Sequence, residues 1–253
     1  MRRIILALAA LVNGIEASGS RRRRGRTGPY PHGVSVITPT SRSAPVASAV
    51  RANRLIVVLR GVAPRARLLD LADELLDAGV RLFEITLDGD NAAGDLAAVR
   101  ERLGAGIDGT EDPSWVGAGT VRSPGQLDAA IDAGAAFAVS PVLDPAMLES
   151  ALERDLPFVP GAYSPTEIDA AWRSGATFVK LFPGSSLGPS HVRELRGPLP
   201  EIETIVTGGI DAGNAVAFLE AGATAVGIGS AIARMTPGER RSLVAEIAGA
   251  ARP

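Results

Sequence analysis

Short apolar runs alternate with amphipathic stretches from residue 54 onward. Such alternation is typical of βα units that build a parallel sheet. The apolar runs predict eight strands, at Leu55–Arg60, Leu82–Leu87, Val116–Gly119, Ala136–Ser140, Phe158–Pro160, Thr177–Phe182, Thr204–Thr207 and Ala223–Ile228. The amphipathic stretches predict helices such as Arg65–Asp77, Gln126–Asp132, Pro145–Arg154, Pro165–Arg173 and Ala212–Glu220.

Eight strands separated by helices predict an α/β protein with a (β/α)8 barrel, also called a TIM barrel. Residues 51–253 provide about 200 positions, near the lower end of the range for that fold. A doubly wound open sheet is the alternative that the same order of elements allows. The pattern therefore predicts one barrel domain over residues 51–253.

Four segments of the predicted barrel share a small residue, a glycine and a following strand. Their glycines are Gly79, Gly134, Gly175 and Gly222. Glycine suits the left-handed conformation that ends a helix before the chain re-enters the sheet. Five positions after each glycine stand Glu84, Val139, Lys180 and Gly227, on alternate strands. Alternate strands of a barrel contribute to one interior layer, so Glu84 and Lys180 are expected to face each other, with a structural ion pair as the alternative interpretation.

Residues 1–50 differ in composition from the rest of the chain. They contain the arginine run Arg21 to Arg24, many Ser and Pro residues and no clear amphipathic period. We expect a low-complexity basic extension that is disordered, and a weak secretory signal is the alternative, because a basic start precedes the apolar run Ile4 to Val12. An isolated arginine run is usually solvated, so it does not indicate a nucleic-acid or lipid partner.

Charge and composition exclude several kinds of chemistry. A net charge of −2 and 46% hydrophobic residues indicate a soluble globular protein without a nucleic-acid or membrane partner, and the domain has the character of a cytoplasmic protein. The absence of Cys excludes disulfides and thiolate catalysis. The two histidines, His32 and His191, are too few for a catalytic metal held by several imidazoles, so no metal site is predicted.

Lys180 is the single lysine of the chain, and it indicates the kind of chemistry. Of the 26 Lys and Arg residues, 25 are Arg and one is Lys. Arg keeps its proton, so only Lys serves as an amine nucleophile, although a single lysine also survives by chance in some chains. Lys180 lies in the apolar segment Phe-Val-Lys-Leu-Phe, where burial favours the neutral amine. With Glu84 as a proton carrier, this arrangement predicts a Schiff-base lyase of the pyruvate-aldolase type.

The loops after the last two predicted strands are rich in glycine. Thr207, Gly208 and Gly209 close strand seven, and Gly229 and Ser230 follow strand eight. Loops in these two places are the usual phosphate site of a TIM barrel, although tight turns alone would also explain the glycines.

Two further polar residues stand at strand ends. Thr120 follows the small residues Gly117 to Gly119 and is a candidate hydrogen-bond donor to a small ligand, with close strand packing as the alternative. Arg60 ends the first strand and is a candidate partner for a substrate carboxylate or phosphate, with a surface charge as the alternative.

Taken in order, the strand-end segments resemble those of the 2-keto-3-deoxy-6-phosphogluconate (KDPG) / 4-hydroxy-2-oxoglutarate (KHG) aldolase family. The resemblance runs from about Arg54 to Thr236, and its most distinctive segment is Val179 to Gly184. The other matching segments are 58–60, 84–86, 117–121, 140–141, 160–161, 207–210 and 227–230. Members are class I aldolases that form trimers of TIM barrels. The resemblance therefore implies a homotrimer that needs no cofactor and takes a phosphorylated 2-keto acid.

The resemblance also implies a role for each matching position. Lys180 is then the Schiff-base lysine, Glu84 the acid/base residue and Thr120 a pyruvate contact, while Gly208, Gly209 and Ser230 form the phosphate cradle.

Asp88 is the main departure from the family pattern. Many members have Arg at this position, four residues after the glutamate, and that arginine helps bind the pyruvate carboxylate. Because Asp repels a carboxylate, either Arg60, Thr120 and backbone amides take over the task or the substrate differs. Val206, where a proline often precedes Thr-Gly-Gly, leaves the shape of the phosphate pocket open.

The leading hypothesis is reversible cleavage of KDPG to pyruvate and glyceraldehyde 3-phosphate, a reaction of the Entner–Doudoroff pathway. One alternative keeps the chemistry and changes the substrate to KHG or to 2-keto-3-deoxy-6-phosphogalactonate. Another is a phosphosugar isomerase or epimerase that uses Glu84 alone. A third, which only Asp88 favours, is a barrel that binds a sugar phosphate as a regulator without turnover.

Overall fold

The computed structural model describes residues 43–105 and 113–251. Within them, nine strand segments form one parallel sheet in the order β5-β4-β3-β2-β1-β9-β8-β7-β6. The segments are β1 Leu55–Leu59, β2 Leu82–Thr86, β3 Trp115–Gly119, β4 Ala138–Val139, β5 Phe158–Val159, β6 Gly161–Ala162, β7 Val179–Leu181, β8 Thr204–Thr207 and β9 Ala225–Ile228. Eight of the segments coincide with or overlap the eight predicted strands, whereas β6 begins just after the predicted strand Phe158–Pro160 ends.

The sheet closes through residues 158–162. Segments β5 and β6 are separated by Pro160 alone, and β5 pairs with β4 while β6 pairs with β7. The backbone N–H of Ser140 donates to Val159 O at 3.0 Å, and the N–H of Lys180 donates to Pro160 O at 2.9 Å. One chain segment thus pairs on both sides, so the predicted barrel is confirmed and the open sheet is wrong.

Helices follow the strands around the barrel. They are α1 Ser43–Asn53, α2 Arg65–Asp77, α3 Ala92–Arg102, α4 Pro124–Asp132, α5 Pro145–Glu153, α6 Pro165–Arg173, α7 Gly184–Leu195, α8 Ala215–Glu220, α9 Ser230–Ala233 and α10 Pro237–Gly249. The predicted helix at 212–220 begins later, because the Asp211 carboxylate accepts from the N–H of Gly213 and the Asn214 amide oxygen accepts from the N–H of Asp211. These bonds form a turn before α8.

Four helices begin with a polar capping residue followed by proline. The capping residues are Ser123, Asp144, Ser164 and Thr236, and each side chain accepts from a backbone N–H in the first turn. A side-chain oxygen satisfies N–H groups that have no partner within the helix, and proline has no N–H to satisfy. These dipeptides therefore fix where the helices start.

The four repeated glycines end helices as predicted. Gly79, Gly134, Gly175 and Gly222 have φ of 98°, 76°, 93° and 112°. The residue after each glycine donates its N–H to the carbonyl five residues earlier, for example Val80 to Leu75 O at 3.0 Å. This C-terminal motif requires a left-handed residue and turns the chain back into the sheet.

The buried apolar residues form an inner and an outer cluster. The inner cluster contains Ile56, Leu82, Phe137, Val139, Val159, Phe178, Ile205 and Ala225. The outer cluster joins the strands to the helices and contains the alternate strand residues, such as Val57, Phe83 and Val179. Because side chains alternate along a strand, Glu84 and Lys180 share the inward face with Leu82 and Phe178.

Helix α1 corrects the predicted boundary at residue 50. Val46, Ala47 and Val50 are buried and belong to the inner cluster. They pack where the strands begin, and Arg51 donates to both carboxylate oxygens of Glu203, just before β8. The boundary was placed too late because α1 has only a short apolar stripe. Residues 1–42 of the predicted extension lie outside the described residues, so its disorder stays a prediction.

Arg240 of α10 is buried and joins three helices. Its Nε donates to Ile232 O at 3.1 Å and its NH2 group to Ala233 O at 3.1 Å, both at the end of α9. Its NH1 group pairs with Glu74 of α2 at 2.5 Å. The guanidinium therefore fixes the short helix that follows Gly229 and Ser230.

Candidate active site

Glu84 and Lys180 lie on opposite sides of the barrel. Glu84 is in β2 and Lys180 in β7, and three strand positions separate them in either direction around the sheet. Both are buried, with 2% and 7% of their surface exposed. The repeat thus correctly predicted an inward carboxyl group opposite an inward amine.

The two side chains do not form an ion pair. Among the described residues, neither Glu84 nor Lys180 has a side-chain hydrogen bond, and no N···O distance between them is within 4.0 Å. Burial raises the pKa of Glu84, and the positive charges of Lys180 and Arg60 offset that rise only in part. A carboxyl group in this state is suited to give and take protons.

Small residues leave room for the reactive side chains. A Cβ at Gly119 would lie 2.1 Å from Glu84 Oε1, so the carboxyl group rests against this glycine. A Cβ at Gly227 would lie 2.5 Å from Thr207 Cγ2. Any larger residue at either position would displace a side chain of the site.

Phe182 covers the amine of Lys180. The Lys180 Nζ lies 5.2 Å from the centroid of the Phe182 ring, and the ring is 37% exposed at the end of β7. An aromatic face at this distance interacts with a cation and limits its contact with water. Phe182 was not predicted from the sequence to belong to the site, although its position two residues after Lys180 puts it on the same face.

Arg60, Asp88 and Thr120 form a hydrogen-bonded group at the carboxyl ends of β1, β2 and β3. Arg60 NH1 donates to Asp88 Oδ2 at 2.6 Å, and NH2 donates to Thr120 Oγ1 at 2.8 Å. Thr120 has a φ of 59°, which is uncommon for a residue other than glycine and is often found at functional sites. Asp88 therefore fixes the arginine beside the predicted pyruvate contact.

Two inward hydroxyl groups are buried without a partner. No group among residues 43–105 and 113–251 hydrogen-bonds to Thr86 Oγ1 or to Thr207 Oγ1. Buried polar atoms usually have partners, so each of these calls for a ligand or a water molecule. Thr207 was predicted from the sequence and Thr86 was not, although Thr86 follows Glu84 by two residues and so shares its inward face.

The loops after β8 and β9 lie side by side. Thr207 pairs with Gly227, so the chain continues to Gly209 and Gly229 at the same edge of the barrel. Gly208 and Gly209 have φ of 88° and 75°, and Gly209 is exposed. A Cβ at Gly209 would lie 2.5 Å from Ser185 Cβ, which shows how closely the start of α7 approaches the loop after β8.

The described part of the chain contains no cluster of three His, Cys, Asp or Glu residues that could hold a metal ion. In the same residues, no helix has the length and apolar character needed to cross a membrane.

A barrel with a buried amine opposite a buried carboxyl group is compatible with an aldolase, which is a carbon–carbon lyase, and the family and its named relatives show this class. The chain belongs to the KDPG and KHG aldolase family, whose model matches residues 46–242. The family expected from the strand-end segments is therefore confirmed.

Two relatives with different names are similar over most of the domain. The chain is 30% identical to the 2-dehydro-3-deoxy-6-phosphogalactonate aldolase of Escherichia coli over 181 residues, which cover 71% of this chain and 84% of that protein. It is 36% identical to the 2-dehydro-3-deoxy-phosphogluconate aldolase of Pseudomonas aeruginosa over 180 residues, which cover 70% and 77%. The similarity to both relatives shows the aldolase family, and the names of the two relatives differ in the sugar acid.

A solved structure from Legionella pneumophila has the same fold. It is a KDPG aldolase with pyruvate captured as a covalent carbinolamine intermediate, and its identity to this chain is 28%. The TM-score is 0.67, with 82% of this chain and 98% of that chain covered.

Proposed function

We propose that this protein is a class I aldolase that cleaves KDPG to pyruvate and glyceraldehyde 3-phosphate. The observation that carries the proposal is the buried, unpaired amine of Lys180 opposite the buried carboxyl group of Glu84. The family and the covalent carbinolamine of the Legionella enzyme support the same chemistry.

Lys180 acts as the nucleophile in this mechanism. Its neutral amine adds to the C2 carbonyl of the keto acid, and the carbinolamine loses water to give an iminium ion. Loss of the C4 hydroxyl proton then breaks the C3–C4 bond. The electron pair of that bond moves into the iminium group, which leaves an enamine on Lys180 and releases the aldehyde. Protonation at C3 and hydrolysis by water return pyruvate and the free amine.

Glu84 moves the protons of these steps. Its protonated form gives a proton to the departing hydroxyl group of the carbinolamine, and the resulting carboxylate takes the C4 hydroxyl proton. The same proton is then delivered to C3 of the enamine. Because burial raises its pKa, Glu84 is a better proton donor near neutral pH than an exposed carboxyl group.

Arg60 and Thr120 bind the carboxylate of the keto acid in this proposal. Asp88 accepts from NH1 of Arg60, so the remaining N–H groups of the guanidinium are held in place for the substrate. Thr120 accepts from Arg60, which leaves its own hydroxyl proton free to donate. The aspartate that departs from the family pattern is therefore a support for the arginine.

The loops after β8 and β9 bind the phosphate group. Gly208 and Gly209 have positive φ, a conformation in which successive backbone N–H groups form anion-binding concavities in other proteins. Gly208, Gly209, Gly229 and Ser230 provide such a concavity, and Thr207 provides a buried hydroxyl group beneath it.

Borohydride trapping with pyruvate tests the proposal. Reduction of the Schiff base should add one pyruvate-derived group to the protein, and the sole lysine makes its location at Lys180 easy to verify by mass spectrometry of the digested chain. Lys180→Met is the control: it should form no adduct at that position and should lose nearly all pyruvate release from KDPG. An adduct elsewhere, or substantial turnover by Lys180→Met, would contradict the mechanism and favour an isomerase that uses Glu84 alone.

Steady-state comparison separates the candidate substrates. KDPG, 2-keto-3-deoxy-6-phosphogalactonate and KHG are compared by kcat/KM in a coupled pyruvate assay. We expect the highest value for KDPG. A higher value for either of the other acids would keep the Schiff-base chemistry and replace the substrate.

A homotrimer in the cytoplasm completes the proposal, and both features come from the family resemblance. Light scattering coupled to gel filtration measures the mass of the assembly. A mass three times the 26.0 kDa of the chain is expected, and a monomer mass would refute the trimer.

A further inference from the structure

Thr86 places an unused hydroxyl group inside the barrel. It is 3% exposed, and no described residue hydrogen-bonds to its Oγ1. It lies in β2 on the inward face, one inward position beyond Glu84 toward the carboxyl end of the strand. Leaving a buried hydroxyl group unpaired costs free energy, so the position is better explained by a ligand than by folding.

The strand order and pairing place Thr86 beside the group formed by Arg60, Asp88 and Thr120. Strand β2 lies between β1 and β3, and Thr86 pairs with Gly119, which immediately precedes Thr120. Arg60 follows β1, and its NH2 group reaches Thr120 across the end of β2. The guanidinium therefore spans the strand end that carries Thr86.

We propose that Thr86 donates a hydrogen bond to the carboxylate of the bound keto acid and is a binding residue for it together with Arg60 and Thr120. This inference rests on the proposed aldolase function. A carboxylate has about four acceptor sites, which three neighbouring donors do not exhaust. The phosphate group of the substrate is a poorer match for Thr86. Its proposed loops follow β8 and β9, and β1 separates β9 from β2, the strand that carries Thr86.

Thr86→Val is a nearly isosteric change that removes only the hydroxyl group. A hydrogen bond to a charged group contributes about 1.5–3 kcal/mol, so the KM for pyruvate should rise roughly ten- to hundredfold. Thr86→Ser keeps the hydroxyl group and should stay within about threefold of wild type. The ligand-free valine variant should be at least as stable as wild type, because it loses an unpaired polar group.

Exchange of the pyruvate methyl protons in D2O provides the assay. The enamine on Lys180 causes this exchange without any aldehyde, and NMR follows its rate as a function of pyruvate concentration. Thr204→Val is the matched control: Thr204 is also a buried strand threonine, and it shares the outward face of β8 with Val206. It should leave the KM for pyruvate unchanged.

Each outcome distinguishes the two proposals. No exchange by wild type would overturn the aldolase function itself. Exchange by wild type with an unchanged KM in Thr86→Val would overturn the role of Thr86 alone. A rise in the KM for glyceraldehyde 3-phosphate in the synthesis direction, without a rise for pyruvate, would also overturn it. A melting temperature that falls in Thr86→Val would show that the hydroxyl group serves the fold.

Discussion

Replacing Arg240 with Met should lower the free energy of unfolding by about 3 kcal/mol. Methionine keeps the apolar stem and removes the guanidinium, so the carbonyl oxygens of Ile232 and Ala233 lose a charged donor. A buried acceptor without a partner costs about 1–3 kcal/mol, which applies to Ala233 O. Ile232 O also accepts from the N–H of Met235 at 3.2 Å, so the loss of its second donor costs only about 0.5–1.5 kcal/mol, and the middle of the summed range is about 3 kcal/mol. Glu74 is 39% exposed and regains water, so its lost ion pair adds little.

Urea unfolding followed by circular dichroism measures this change. Arg241→Met is the matched control, because Arg241 is the exposed neighbour on the same helix and should change stability by less than about 0.5 kcal/mol. In thermal unfolding, the Arg240 variant should melt about 6–12 °C lower than wild type. An Arg240 variant within about 1 kcal/mol of the Arg241 variant would refute the reasoning, since it would mean that the carbonyls find other partners at little cost.

Two further predictions concern the carboxyl group of the site. Burial raises the pKa of Glu84 above its ordinary 4.5, so its contribution to stability is fully present below that pH and is lost as the pH rises through the higher folded-state pKa. The melting temperature of wild type relative to Glu84→Gln should therefore fall as the pH rises above about 5, and a constant difference would contradict the shift. Gly119→Ala should displace the Glu84 carboxyl group and reduce kcat by about a hundredfold or more, because a 1 Å misplacement of a catalytic group has that effect. Gly125→Ala, where no atom lies within 4 Å of the added Cβ, should leave kcat unchanged.

Local signals in the sequence were sufficient for the barrel. A glycine after each of four helices, followed by a β-rich run, specifies a helix end and a strand start within a few residues. The inward positions of Glu84 and Lys180 followed from that spacing, because the period of side chains along a strand is fixed. Helix α1 was not predicted because its apolar side chains are buried only by the folded barrel, against which Val46 and Val50 pack.

Interactions between distant residues were not predictable in the same way. From the sequence, Asp88 was expected to repel the substrate carboxylate, whereas in the structure it forms an ion pair with Arg60. These residues belong to successive strands, and their pairing depends on the register between β1 and β2. The lack of a hydrogen-bond partner for Thr86 Oγ1 likewise follows only from the positions of all the described neighbours.

Among the described residues, helix α1 packs across the end of the barrel where the strands begin, so under the proposed function the products leave at the other end. Lys180 is 7% exposed, whereas Gly209 and Ser230 in the loops after β8 and β9 are exposed. In the proposed reaction the fragment bonded to the lysine is therefore the inner one, and the aldehyde lies between it and the open end of the barrel. Release is then sequential, with the aldehyde first and pyruvate last. Pyruvate should act as a competitive product inhibitor, because it alone binds the empty enzyme.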